Sequence, residues 1–155
     1  MADDQEIIVQ DLFERVHSLM EKYKEAKAEL KVLKFGGRSL ANGEGLERVL
    51  EIIAAKRADG ESFTVVLSAR GGTTDALEEI LEKARLGEDF HPEFEALKAY
   101  QKQPVPEIDF EAEFKLLRDV FEGVKLLGDY SEKIKDQVLA QGELLSVKTV
   151  ADLLN

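Results

Sequence analysis

Lys34, Gly36, Gly37, Arg38 and Ser39 close a short apolar run, Lys31-Val32-Leu33-Lys34-Phe35, and as a group they suit the binding of an anion. A glycine pair leaves a turn bare of side chains, so its backbone N–H groups can approach a ligand closely. The helix expected next, Gly45 to Lys56 with Leu46, Val49, Leu50 and Ile53 on one face, aims its positive N-terminal end at the same place. Alone, such a pair also serves as an ordinary tight strand-to-helix connection. The pattern occurs twice, however: Phe63-Thr64-Val65-Val66-Leu67-Ser68 breaks into Ala69-Arg70-Gly71-Gly72-Thr73-Thr74 ahead of a second amphipathic helix. Two parallel strands put both turns on one sheet edge, the usual ligand position in open α/β sheets, and gather Lys34, Arg38, Ser39, Ser68, Arg70 and Thr74 there. A third motif, Gln141-Gly142-Glu143-Leu144-Leu145-Ser146, falls inside the last helix. Glycine there costs about 0.5–1 kcal/mol relative to alanine, so something must come close. From spacing alone, Glu143 fits a solvated helix face.

The elements that must position these residues are legible in order. Residues 1–30 carry Leu12, Val16, Leu19, Tyr23, Ala26 and Leu30 at alternating intervals of four and three, the narrow stripe of an amphipathic, coiled-coil-type helix that wants a partner. That partner is another copy or a groove on the following domain. Asp3 and Asp4 ahead of Ile7 suit its N-terminus. Strand, helix, strand, helix follow, with Ala58-Asp59-Gly60-Glu61 as the first helix stop and Thr73 or Thr74 as a cap for the helix bearing Leu77, Ile80, Leu81 and Ala84. From Phe90 the pattern is helical: Glu93 to Gln101, Asp109 to Leu126, then a last helix capped by Ser131. The expected fold is therefore α/β, with parallel strands, flanking helices and a helix-rich second half.

With 32 acidic and 21 basic residues, the net charge of −11 argues against nucleic acid and anionic membranes as partners. The cations at the two turns stand out against that background. There is no cysteine, and His17 and His91 are far apart and read as solvated, so no transition-metal site is expected. No apolar run approaches 18 residues and no secretory signal opens the chain, which points to the cytoplasm.

Lys34-Phe35-Gly36-Gly37-Arg38-Ser39, Leu67-Ser68-Ala69-Arg70-Gly71-Gly72-Thr73-Thr74-Asp75 and Gln141-Gly142-Glu143-Leu144-Leu145-Ser146, in this order, closely resemble the aspartokinases of the amino acid kinase family. The segment Leu126-Leu127-Gly128-Asp129-Tyr130-Ser131 also resembles what precedes the third motif in those enzymes. The resemblance covers residues 31–155 and looks most like the kinase part of bifunctional aspartokinase/homoserine dehydrogenases. It implies a partial amino acid kinase fold, the aspartate-side half of a catalytic domain, preceded by the unmatched helix of residues 1–30. It further implies ATP- and Mg²⁺-dependent phosphorylation of the L-aspartate side chain, feeding lysine, threonine and methionine synthesis. By position, Lys34 with Gly36, Gly37 and Ser39 falls on the phosphate-binding turn, and Lys34 is the catalytic candidate. Ser68, Thr74 and Glu143 fall on aspartate-holding positions, Glu143 receiving the ammonium. Two departures stand out: Arg38 replaces a threonine, and Arg70 an uncharged residue. Either arginine neutralises substrate charge or points outward. A carboxylate nucleophile, with a reference pKa of about 3.9, needs no general base.

The resemblance leads to the expectation that the chain lacks the nucleotide-base half and is inactive alone, and the thin two-stranded sheet to the expectation of a homo-oligomer. The alternatives are a noncatalytic helix-mediated assembly module, or a related kinase acting on glutamate or acetylglutamate.

Overall fold

The computed structural model describes residues 14–21, 31–41 and 43–155. Residues 14–21 are helical (α1), and Val16, Leu19 and Met20 on it are exposed. The rest of the stripe read from the sequence, Leu12, Tyr23, Ala26 and Leu30, and the N-terminal signals Asp3 and Asp4 lie outside the described residues.

Strand β1 (Lys31–Phe35) leads through a single 3₁₀ turn (Gly37–Leu40) into α2 (Gly43–Ala58), and β2 (Phe63–Leu67) leads into α3 (Thr73–Arg85). The strands pair in parallel, with Lys31 opposite Phe63 and Phe35 opposite Leu67. The pleat sends Phe35, Phe63, Val65 and Leu67 to one side, where they meet Leu40 of the 3₁₀ turn and Leu46, Val49 and Ile53 of α2. The other face, with Val32, Lys34, Thr64 and Val66, is exposed. Helix α2 stops where expected: Gly60 adopts φ +72° and its N–H donates to the Arg57 carbonyl at 3.1 Å.

Four helices make the second half: α3, α4 (His91–Lys102), α5 (Glu111–Leu127) and α6 (Glu132–Leu153). Their shared core is built around Phe90, Phe94, Phe110, Phe114 and Phe121, with Leu77, Ile80 and Leu81 of α3. Helix α6 belongs to both cores. Val138 and Leu145 join the helical one, and Val150 reaches the cluster beneath the sheet. Ser131 caps α6 as the sequence indicates, its hydroxyl accepting from the Ile134 N–H at 3.3 Å. The expected threonine cap of α3 is not formed. Gly72 takes the N-cap position at φ +80°, and Thr73 turns inward, where its hydroxyl accepts from Gln101 at 2.7 Å.

Candidate functional site

Because the two strands run parallel and in register, Phe35 and Leu67 end side by side and both glycine turns open on one edge. The turns are hydrogen-bonded to each other. The Ser68 N–H donates to the Phe35 carbonyl at 3.1 Å, and the Gly71 N–H to the Gly37 carbonyl at 2.9 Å. This contact explains two glycines. A Cβ on Gly37 would sit 2.6 Å from the Ala69 carbonyl oxygen, and one on Gly71 would sit 2.8 Å from the Ala41 Cβ.

The third motif joins the same assembly. A Cβ on Gly142 would lie 2.8 Å from the Ala69 Cβ and 3.2 Å from the Thr73 Cγ2, so α6 presses its backbone against the second turn. Glu143, the next residue, is exposed on that helix. The first turn is thus bonded to the second, and the second packs against α6 at Gly142.

Around this frame Lys34, Gly36, Arg38, Ser39 and Thr74 are exposed, and Gly37 and Ser68 are partly buried. Neither Lys34 nor Arg38 forms an ion pair among the described residues. Other lysines are paired, as in Lys31 and Lys56 with Glu61, or Lys148 with Glu113. Arg48, which the sequence reading did not single out, shares a recess of about 440 Å³ with Phe35, Arg38 and Ser39. On a helix rich in charged residues it gave no signal; only the fold shows which way it faces.

Arg70 does not point outward. It is 3% exposed, its Nε and Nη2 donate to the Leu40 and Ala41 carbonyls at 3.0 and 3.3 Å, and its Nη1 donates to the Tyr100 carbonyl at 2.7 Å. The guanidinium carbon also lies 4.2 Å from the centre of the Tyr100 ring. Burial pulls its pKa down from the usual arginine value, but a guanidinium stays charged in a protein. The Tyr100 hydroxyl lies 2.9 Å from both the Ala41 and Gly71 carbonyls, to either of which its single proton can be donated. Tyr100 is the second residue the sequence reading missed. A lone tyrosine thirty positions from the turn carries no local signal.

Among the described residues no cluster of histidine, cysteine and carboxylate side chains is arranged to hold a metal. No helix there is long and apolar enough to cross a membrane. His91 is exposed beside Asp89 and Glu122 on the helical half.

Residues 29–155 match the family model described as "Amino acid kinase family". The bifunctional aspartokinase/homoserine dehydrogenase of Buchnera aphidicola is 31% identical over 139 residues, covering 81% of this chain and 17% of that protein. The chloroplastic aspartokinase 1 of Arabidopsis thaliana is 30% identical over 133 residues, covering 80% and 23%. Among solved structures, E. coli aspartokinase III in complex with aspartate and ADP superposes with a TM-score of 0.65 at 26% identity, covering 81% of this chain and 29% of that one. The chain therefore spans less than a third of the length of each of these relatives.

Proposed function

Since the chain belongs to the amino acid kinase family and is aspartokinase-like along most of its length, we propose that residues 31–155 form the aspartate-side part of a catalytic domain that transfers the γ-phosphoryl group of Mg-ATP to the side-chain carboxylate of L-aspartate. The observation that carries this reading is the joined pair of glycine turns, hydrogen-bonded from Gly71 to Gly37, with α6 packed on the second turn at Gly142. Such a frame supports a phosphate at the turns, and Glu143, next to Gly142 in α6, is the carboxylate proposed for the substrate ammonium.

In this mechanism Lys34, with the turn at Gly36, Gly37 and Ser39, binds the phosphates and offsets the negative charge that spreads over the moving group. Ser68 and Thr74 orient the aspartate, and Glu143 receives its ammonium. When bound with the nucleotide, Mg²⁺ would offset phosphate charge alongside Lys34. The aspartate side chain is ionised near neutral pH and attacks without a general base. Arg38 adds charge at the mouth of the phosphate turn. Cytoplasmic placement and self-association complete the reading.

Grafting residues 31–155 into a full-length aspartokinase in place of the matching segment tests the assignment. A soluble chimera should release ADP only when L-aspartate is present, and Lys34→Ala in it should lower turnover by about a hundredfold or more. A folded chimera that prefers L-glutamate, or that tolerates loss of Lys34, would overturn it.

A further inference from the structure

Arg70 is a buried cation with no carboxylate partner among the described residues: its hydrogen bonds go to carbonyl oxygens, and its guanidinium lies over the Tyr100 ring. Enclosing an unpaired charge is costly, and the three carbonyls held here call for more donors than a neutral side chain carries, so the charge comes with the latch. A charge retained there has an effect that a neutral donor lacks. Arg70 immediately precedes Gly71, whose N–H is bonded to the Gly37 carbonyl, and its guanidinium is bonded to the carbonyls at the exit of the first turn. In a region shielded from water its field is weakly screened.

We infer that Arg70 is a positioning residue with two linked tasks: its guanidinium latches the exit of the first turn to the second, and its uncompensated charge biases the cradle toward a phosphate-bearing occupant. The inference rests on the phosphate assignment of the Gly36–Gly37 turn and extends it to a residue that touches no ligand. The latch has three strands. Nε and Nη2 hold Leu40 and Ala41, Nη1 holds the end of α4 at Tyr100, and the Tyr100 hydroxyl closes the ring onto Ala41 or Gly71, whichever takes its one proton. The first turn's exit is therefore fixed by a charge from the second turn, which keeps the backbone donors aimed before any anion arrives. Preorganisation of this kind removes the ordering cost that binding would otherwise incur.

The test is an amide-resolved NMR titration of the full 155-residue chain with inorganic pyrophosphate, with hydrogen exchange at Gly71 read in parallel. The wild type should show saturable shifts at Gly36 and Gly37. Arg70→Gln, which loses the charge and keeps two donors on a single nitrogen, should weaken pyrophosphate at least fivefold and speed exchange at Gly71. Arg70→Lys, which keeps the charge and loses the fork, should speed exchange while retaining more affinity than Arg70→Gln. Tyr100→Phe removes one hydroxyl, is expected to fold, and should speed Gly71 exchange without changing the salt dependence of binding. Saturable wild-type shifts that persist unchanged in Arg70→Gln would overturn the role of Arg70 and leave the phosphate turn standing. No shift in the wild type would overturn both. Equal affinity of the Lys and Gln variants would overturn the part played by charge.

Discussion

Replacing Gly142 by alanine sets two opposing effects against each other, and the structure decides between them. In a helix interior the change ordinarily stabilises by about 0.5–1 kcal/mol, because glycine is the weaker helix former. Here the new methyl would lie 2.8 Å from the Ala69 Cβ, 3.2 Å from the Thr73 Cγ2 and 3.6 Å from the Leu77 Cδ1. The first of these groups is short and cannot swing aside, so α6 or the second turn must move. Overpacking of this kind costs about 1–3 kcal/mol, which outweighs the helix gain. Gly142→Ala should therefore lose about 0.5–2 kcal/mol in urea unfolding, a fall of a few degrees in Tm for a chain of this size. Gly123 in α5 supplies the control: nothing lies within 4 Å of a Cβ built there, and Gly123→Ala should gain about 0.5–1 kcal/mol. If the two variants shift stability in the same direction by the same amount, the contact between α6 and the second turn is not as described here.

Gly37→Ala places a methyl 2.6 Å from a backbone oxygen that has little room to yield, and should cost about 1–3 kcal/mol while freeing the Gly71 amide to exchange. Lys34→Ala, at an exposed and unpaired position, should leave the unfolding midpoint within about 0.5 kcal/mol of wild type while abolishing pyrophosphate shifts at Gly36 and Gly37. Glu61 accepts hydrogen bonds from Lys31 and Lys56, which hold its carboxyl below the ordinary value. A carboxylate whose folded pKa is depressed contributes stability above its unfolded pKa and loses it as pH falls through the folded value. The hydrogen bonds of Glu93 to Lys83 and of Glu95 to Lys98 act in the same direction. Stability should therefore fall from about pH 4.5 downward, more shallowly in Glu61→Gln, as thermal melts across pH 3–6 would show.

Much of the frame was legible because it rests on local patterns. The apolar, β-branched run Phe63–Leu67 marked a strand, and the Ser131 cap and the Gly60 stop followed from residue type. Gly142 announced a close approach, and the second turn is what approaches. The missed features are long-range. Thr73 looked like a cap, yet a buried partner on α4, Gln101, competes for its hydroxyl. Arg70 was open to two readings, neutralising a ligand or pointing outward, but its destination depends on Leu40 and Tyr100, each thirty positions away. Tyr100 and Arg48 acquire meaning only once α4 and α2 are set against the turns.

In the proposed function these turns and Glu143 recognise aspartate as an amino acid and not merely as an anion. Hydrogen exchange of the 155-residue chain in the presence of L-aspartate, with succinate as the analogue lacking the ammonium, tests it directly. L-aspartate should protect the Ser68–Thr74 turn and the segment around Glu143, and succinate should leave the Glu143 segment unprotected. Equal protection by both ligands, or none by L-aspartate, would contradict the account.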